Sequence, residues 1–372
     1  MNTKYKKIAE EILGLAGVQI NGKNPWDIQI HNEEFYRRAI TEGKIGIGES
    51  YMDGWWDVEK LDGFISRILR AQLDDQIQRK FSVFIELFIL QLFNLQSKQR
   101  AFIVGEKHYN LGNDLFQHML DQRMNYSCAY WKDAESLDEA QENKLELICR
   151  KLSLKSGMRI LDIGCGWGAF GKYAAEKYKV EVVGVTVSKE QVELGRKLCN
   201  GLPVEFRLID YRDLNEKFDR IVSVGMFEHV GHKNYRTFFE IANKCLVDDG
   251  LFLLHTIGRI SSLRALDLWT QKYIFPNGML PSAPEIGQGI QKLFVMEDWH
   301  NFGSDYDKTL MAWYANFVAH WDNIKVQYSE RFFRMWKYYL LTSAASFRTR
   351  RNQLWQIVLS KNGVPGGYYS IR

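Results

Sequence analysis

The chain has 372 residues, 46% of them hydrophobic and 25% charged, with a formal net charge of +4. Aromatic residues make up 14%, including eleven Trp, which is ample for a large core. Six Pro and 29 Gly exclude collagen-like and low-complexity chains, and the length suits one large domain or two unequal ones.

The five cysteines, Cys128, Cys149, Cys165, Cys199 and Cys245, are scattered and contain no C-x-x-C pair. That argues against a disulfide framework and against a zinc cluster of closely spaced thiols, so no metal is expected. The N-terminus starts basic, but Glu10 and Glu11 interrupt what would be the apolar core of a signal peptide. The most apolar stretch, residues 83–95, holds Glu86 and Gln91 and is shorter than the ~20 residues a bilayer span needs. These features predict a soluble protein of a reducing cytoplasm.

In chain order, the first eighty residues read as short helices and turns around a glycine-rich patch, Gly43-Lys44-Ile45-Gly46-Ile47-Gly48. Leu61, Ile65, Ile68, Leu69 and Leu73 have helical spacing. Residues 81–93 are apolar around most of a helix, which suits a helix buried between domains or lying on lipid tails. We place an N-terminal domain over 1–93, a polar connector over 94–105 and a catalytic domain over 106–372. From about Leu145, strands and helices alternate, the pattern of a doubly wound α/β sheet. Predicted strands fall at 159–163, 181–186, 204–208, 218–224 and 250–255, with helices at 169–179 and 189–199. Residues 259–306 exceed a βα loop and are rich in aromatics, so a cap over the site is expected there. From Lys325 to Arg372 nine basic residues face one acid, Glu330. Interleaved with Trp336, Tyr338, Tyr339 and Trp355, this tail suits anionic lipid heads or nucleic acid. It equally suits a solvated helix face whose aromatics point inward.

The first strand runs into Gly164-Cys165-Gly166-Trp167-Gly168 and then a helix, a cradle for a nucleotide-like ligand. The spacing is G-x-G-x-G, and the position where a dinucleotide site wants an acid holds Thr186. Leu161-Asp162-Ile163-Gly164-Cys165-Gly166-Trp167-Gly168 instead resembles motif I of class I S-adenosylmethionine-dependent methyltransferases. That resemblance implies a glycine turn, with Asp162 before it, against the amino-acid half of the cofactor. Thr186 and Gln191 then stand at the ribose, and Tyr211 and Arg212, after Asp210, at the adenine. Tyr126, Ser127 and Val224 complete the expected cofactor contacts.

Four further segments sharpen the likeness: Tyr126-Ser127-Cys128-Ala129-Tyr130-Trp131, Gly225-Met226-Phe227-Glu228-His229-Val230-Gly231, His255-Thr256-Ile257-Gly258 and Asp305-Tyr306-Asp307. With Val185–Gln191 and Gly48–Trp56 they resemble the cyclopropane-fatty-acyl-phospholipid synthase family almost end to end. The resemblance implies methylene transfer to the cis double bond of a phospholipid acyl chain through a carbocation. It also implies a bound bicarbonate as base, held by Cys128, Glu228, His255, the backbone of Ile257 and Tyr306. A homodimer on the inner face of the membrane is implied too, with the N-terminal domain holding lipid. Taken singly, Cys128 reads as a buried small hydrophobe, Glu228 as an acid beside a helix dipole, His255 as a core histidine and Tyr306 as a loop residue. Their joint presence at strand carboxyl ends favours a site. Tyr273, Phe275, Trp299 and Phe302 are candidates, by residue type, to face a carbocation. A small-molecule methyltransferase and a non-catalytic membrane-binding protein are the rival readings. A nucleic-acid methyltransferase is discounted, because Gly225-Met226-Phe227-Glu228 stands where a polar base pocket would be.

Overall fold

The computed structural model describes residues 2–73, 112–262 and 266–372. The apolar helix expected over 81–93 and the connector over 94–105 lie outside the described residues. The chain divides into two compact units: Met1–Phe93, Leu266–Pro276 and Asp307–Arg351 in the first, and Asn94–Ala265, Asn277–Tyr306 and Asn352–Arg372 in the second.

In the first unit, helices Asn2–Leu15, Glu34–Met52 and Leu61–Arg70 surround a two-stranded ribbon, β1 (Gln29–Ile30) with β2 (Trp56–Asp57). The glycine-rich patch is helical apart from a break at Gly43. Glycine is needed at position 48, because a Cβ there would lie 2.4 Å from the Trp269 ring. The basic helix Glu330–Arg348 packs on the helices Leu61–Arg70 and Glu34–Met52. Arg334 donates to the carbonyl of Trp56 and to Asp57, each at 2.9 Å, and Arg348 grips Asp307 with two bonds of 2.8 and 2.9 Å. Trp336, Tyr338 and Tyr339 are buried in this unit and Trp355 in the other. These aromatics are therefore core residues and not a lipid-facing row. The net positive charge of the tail conceals a buried strand, Asn352–Ser360, and a helix whose arginines meet acids far away in the sequence.

The second unit is built on seven strands in the order β5-β4-β3-β6-β7-β9-β8. They are β3 (Arg159–Ile163), β4 (Glu181–Thr186), β5 (Val204–Leu208), β6 (Phe218–Val224), β7 (Leu246–Arg259), β8 (Val295–Asn301) and β9 (Asn352–Ser360). The first five are parallel and the last two join antiparallel. This is the expected doubly wound α/β fold, with helices Ala169–Tyr178 and Lys189–Leu198 as crossovers. The structure corrects three expectations. The fifth strand is much longer than 250–255. The stretch 259–306 is not all cap, since it contributes the edge strand β8 and helix Ala283–Ile290, which packs on helix Tyr235–Cys245. The tail supplies β9, buried between β7 and β8.

One face of the sheet carries an aromatic nest in which Phe238 meets Phe227 at 5.1 Å, Tyr211 at 5.4 Å and Phe252 at 6.0 Å between ring centroids. Phe227 precedes Glu228, so the nest fixes the loop after β6. Phe238→Ala is expected to destabilise the protein by about 3–5 kcal/mol, measured by urea unfolding; a loss below about 1 kcal/mol would show that the nest does not organise this face.

Candidate functional site

Five loops meet at the carboxyl ends of the parallel strands, where open α/β sheets bind ligands. The first is the glycine turn after β3. Gly164, Gly166 and Gly168 all have positive φ, at 84°, 55° and 90°. A Cβ on Gly164 would fall 2.5 Å from Cβ of Met226, so only glycine lets this turn approach the loop after β6. A Cβ on Gly166 would meet nothing within 4 Å, leaving space for a ligand on that side. Asp162 is 2% exposed, and burial pushes its carboxyl up to about 7 against the opposing pull of the Lys144 charge.

At the end of β4 the Thr186 hydroxyl donates to the Gln191 amide oxygen at 2.7 Å, joining the two predicted ribose contacts. Ser188 caps the following helix by accepting from the Gln191 N–H. After β5, Arg212 folds back onto Asp210 through two bonds of 2.7 Å, and Tyr211 turns its ring into the core against Phe238. Neither side chain of that predicted pair is free to reach outward, so this position offers a ligand its backbone.

The segment 125–131 is clamped from helix Leu137–Lys151, which sequence reasoning did not single out. Gln141 donates to the carbonyl of Ser127 at 2.9 Å, and the Lys144 ammonium donates to Asn125 Oδ1 at 2.7 Å and Ser127 Oγ at 3.0 Å. Both side chains are at most 1% exposed. The signal was available, because helical spacing sets Gln141, Lys144, Ile148 and Lys151 on one face, but the neighbouring acids made it look solvated. Tyr126 packs on Phe116, which also meets Trp167 of the glycine turn. The segment is further tied where Trp131 N–H donates to Asp305 at 2.8 Å, next to the buried Tyr306.

Between β6 and β7 lies the most polar part of the site. Val224 pairs with His255, and Gly225 N–H donates to the His255 carbonyl at 3.0 Å. The Glu228 carboxylate returns across the gap to accept the Ile257 N–H at 2.7 Å. Burial pushes Glu228 up to about 7, partly offset by that backbone bond, and Thr256 supplies a further hydroxyl. His255 is held well below its ordinary value by burial, then by the Lys144 and Lys151 charges, so its ring is neutral. Its Nδ1 faces the Gln356 amide at 3.3 Å. The second oxygen of Glu228 and Nε2 of His255 are buried with no hydrogen-bond partner among the described residues. Cys128 is fully buried with its thiol on the Ala129 carbonyl, within reach of the Lys144 charge. Of the aromatics named by type, Phe302 comes to His255, at 5.9 Å, whereas Trp299 packs on Trp355, and Tyr273 and Phe275 belong to the first unit. No group of residues able to hold a metal occurs among the described residues.

A glycine turn after the first strand of this sheet, with the five loops described, defines the class: a class I S-adenosylmethionine-dependent methyltransferase. A coclaurine N-methyltransferase shares the fold at a TM-score of 0.68, covering 85% of this chain at 22% identity. More specific likenesses narrow the class. The family described as Mycolic acid cyclopropane synthetase matches residues 96–357, and the chain belongs to that family. It is 56% identical over 363 residues to the cyclopropane-fatty-acyl-phospholipid synthase of Escherichia coli (strain K12), across 98% of this chain and 95% of that protein. Cyclopropane mycolic acid synthase 3 of Mycobacterium tuberculosis is 36% identical over 275 residues, covering 69% of this chain and 96% of its own length. The mycolic acid cyclopropane synthase CmaA1 complexed with SAH and CTAB superposes with a TM-score of 0.66 at 35% identity, covering 70% of this chain and 98% of that one.

Gly164→Ala puts a methyl group into Met226 at a positive φ. The variant is expected to lose at least about tenfold in affinity for S-adenosylhomocysteine, read by titration calorimetry. Unchanged affinity would remove this turn from the cofactor site.

Proposed function

We propose that the chain transfers a methylene group from S-adenosylmethionine to the cis double bond of unsaturated acyl chains in phospholipids, forming cyclopropane chains. The observation that carries this reading is the pair of buried, partnerless atoms, Glu228 Oε2 and His255 Nε2, beside a glycine turn suited to the cofactor. An ordinary methyl transfer needs no such pair, whereas ring closure requires a base that removes a proton from the new methyl group.

S-adenosylmethionine supplies an electrophilic methyl group, and Gly164, Gly166, Gly168, Asp162, Ser127 and Tyr126 are the residues that would hold it. A bound bicarbonate would supply the base. The residues fit it: a neutral imidazole and the Tyr306 hydroxyl can donate to its oxygens, the Ile257 backbone N–H holds Glu228 beside them, and Glu228 can accept a hydrogen bond from its proton. A carboxylate beside an anion is unfavourable without a proton between them, and Glu228, poised near 7, readily shares one. Glu228 acts as an orienter, and Cys128 closes the wall of the pocket. An isolated alkene is a weak nucleophile, so much of the catalysis is positioning, and Phe302 and Tyr130 keep water from the cation that methyl transfer leaves.

The resemblance to the bacterial phospholipid enzymes extends the proposal to a peripheral homodimer on the cytoplasmic face of the membrane. In it the domain at 1–93 holds lipid and couples the subunits. No helix among the described residues is long and apolar enough to cross a membrane.

Vesicles of unsaturated phospholipid incubated with the protein and S-adenosylmethionine should gain one CH2 per double bond by mass spectrometry, with the ring verified by NMR. Stripping bicarbonate from the buffer should lower the rate. A methyl-branched alkene of the same mass would refute ring closure, and a rate indifferent to bicarbonate would refute the base. Glu228→Gln should reduce turnover by about 10²-fold or more while leaving S-adenosylhomocysteine affinity intact. At saturating S-adenosylmethionine the wild-type rate should rise with pH through about 7, as Glu228 ionises, and this step should vanish in Glu228→Gln. Parallel loss of cofactor affinity would place Glu228 in the cofactor site instead.

A further inference from the structure

Lys144 belongs to none of the residues that the family motifs single out, yet it is one of the largest fully buried side chains in the molecule. Burying an ammonium is costly unless it is paired and hydrogen-bonded. Its two hydrogen bonds go to Asn125 and Ser127. Asn125 is in turn fixed by Asp121, which accepts from its backbone N–H and from its amide, both at 2.7 Å. The charges that bear on Lys144 are those of Asp121, Cys128 and Asp162, and they come from the 121–128 stretch and from β3. Among the described residues, the charge that bears on the deeply buried Asp162 is that of Lys144.

We propose that Lys144 is a positioning residue for the cofactor: its ammonium ties down the Tyr126–Cys128 segment through Asn125 and Ser127 and serves as the counter-charge of Asp162. The proposal rests on the reading that the glycine turn and Asp162 form the cofactor site. An ionised Asp162 at the carboxyl end of β3 offers an acceptor for the α-ammonium group of the cofactor's amino-acid half. A neutral, protonated Asp162 has no such attraction. Without a nearby positive charge, burial favours the neutral acid. Lys144 thereby does two things at once, holding the chain that carries Ser127 and keeping Asp162 in its binding-competent form.

The test is the pH dependence of S-adenosylhomocysteine affinity between pH 5.5 and 9, roughly the range that brackets the buried acid. Glu228 titrates in the same range, so the measurement is made in the Glu228→Gln background. The other groups that bear on the pair are Cys128, His255, the Cys165 thiol, which burial raises well above its ordinary value, and Asp121, whose carboxyl burial also raises. The step therefore belongs to Asp162 only where Asp162→Asn abolishes it. Lys144 itself, which burial pushes down to about 8, loses its proton above that step. With Lys144 present, affinity should fall as pH drops through about 7, the point at which Asp162 takes up its proton. Asp162→Asn should abolish that step. In Lys144→Gln, which keeps a donor to Asn125 and Ser127, the midpoint should move up by about one pH unit or more. Lys144→Met should show the same shift together with lower affinity at every pH. Gln141→Leu, which loosens the segment but keeps the charge, should weaken binding without moving the midpoint.

A uniformly weaker affinity in Lys144→Gln with an unmoved midpoint would overturn the proposal and leave Lys144 a packing residue. Should Lys144→Met not fold, as judged by its thermal transition, Lys144→Gln and Gln141→Leu still decide the matter. The absence of any step in the Lys144-containing protein has a different meaning. It would refute Asp162 as a cofactor contact, and with it the reading on which the proposal rests.

Discussion

The site depends above all on the register between β6 and β7. Val224 stands opposite His255, so the chain leaves β6 at the level where β7 still has four residues to run. The loop after β6 can therefore turn through Gly225 and bring the Glu228 carboxylate back onto the Ile257 N–H. That bond secures an otherwise unpaired acceptor in a buried place, where leaving it unmade would cost about 1–3 kcal/mol. A slip of one residue would send the His255 side chain to the opposite face of the sheet and withdraw Ile257 N–H from Glu228. The register is held on the far side as well, because β9 pairs with β7 antiparallel from Leu251 to Arg259, setting Gln356 beside His255. An edge strand could not hold a buried imidazole in this way. The unexpected β9 is thus a condition for the pocket.

The parallel half of the sheet was plain in the sequence, and for a clear reason. Its first two strands, β3 and β4, are short apolar runs that end in turn residues, and each is followed by a helix, so local pattern and tertiary role agree. The segments that line the strand ends could likewise be named from their motifs. The antiparallel half was hidden because its signals are not local. Residues 295–301 carry Glu297, Asp298 and His300, an unpromising strand until Arg372, Ser370 and Lys151 arrive to satisfy Asp298. Residues 352–360 follow Arg350 and Arg351, and the charge drew attention away from Leu354, Trp355, Ile357, Val358 and Leu359, all of which are buried. The same holds for helix Glu330–Arg348, whose arginines find acids nearly three hundred residues earlier.

Buried charge is where local reasoning fails most sharply, and helix Leu137–Lys151 shows why. It presents two buried lysines, Lys144 and Lys151, two turns apart on one face. A lysine inside an otherwise apolar stripe reads as a break in the stripe until its partners are known. Lys144 answers Asp121 and Asp162. Lys151 lies 3.7 Å from Asp298 and 3.1 Å from His300 Nδ1, and burial pushes its ammonium down to about 7. His300 is itself pushed down to about 3, so its ring is neutral and its Nδ1 can accept.

Both lysines bear on His255, and both act in the same direction. An imidazole beside a buried carboxyl would ordinarily gain a proton from its partner and form an ion pair. Here burial and the positive charges of the two buried lysines oppose that, so His255 stays neutral. This ordering matters to any anion the pocket receives. A neutral imidazole offers one donor and no net charge, so it can orient an anion without protonating it, and a base held there keeps its basicity. The helix that clamps the 125–131 segment through Lys144 therefore also bears on the protonation state of His255, through the charges of Lys144 and Lys151.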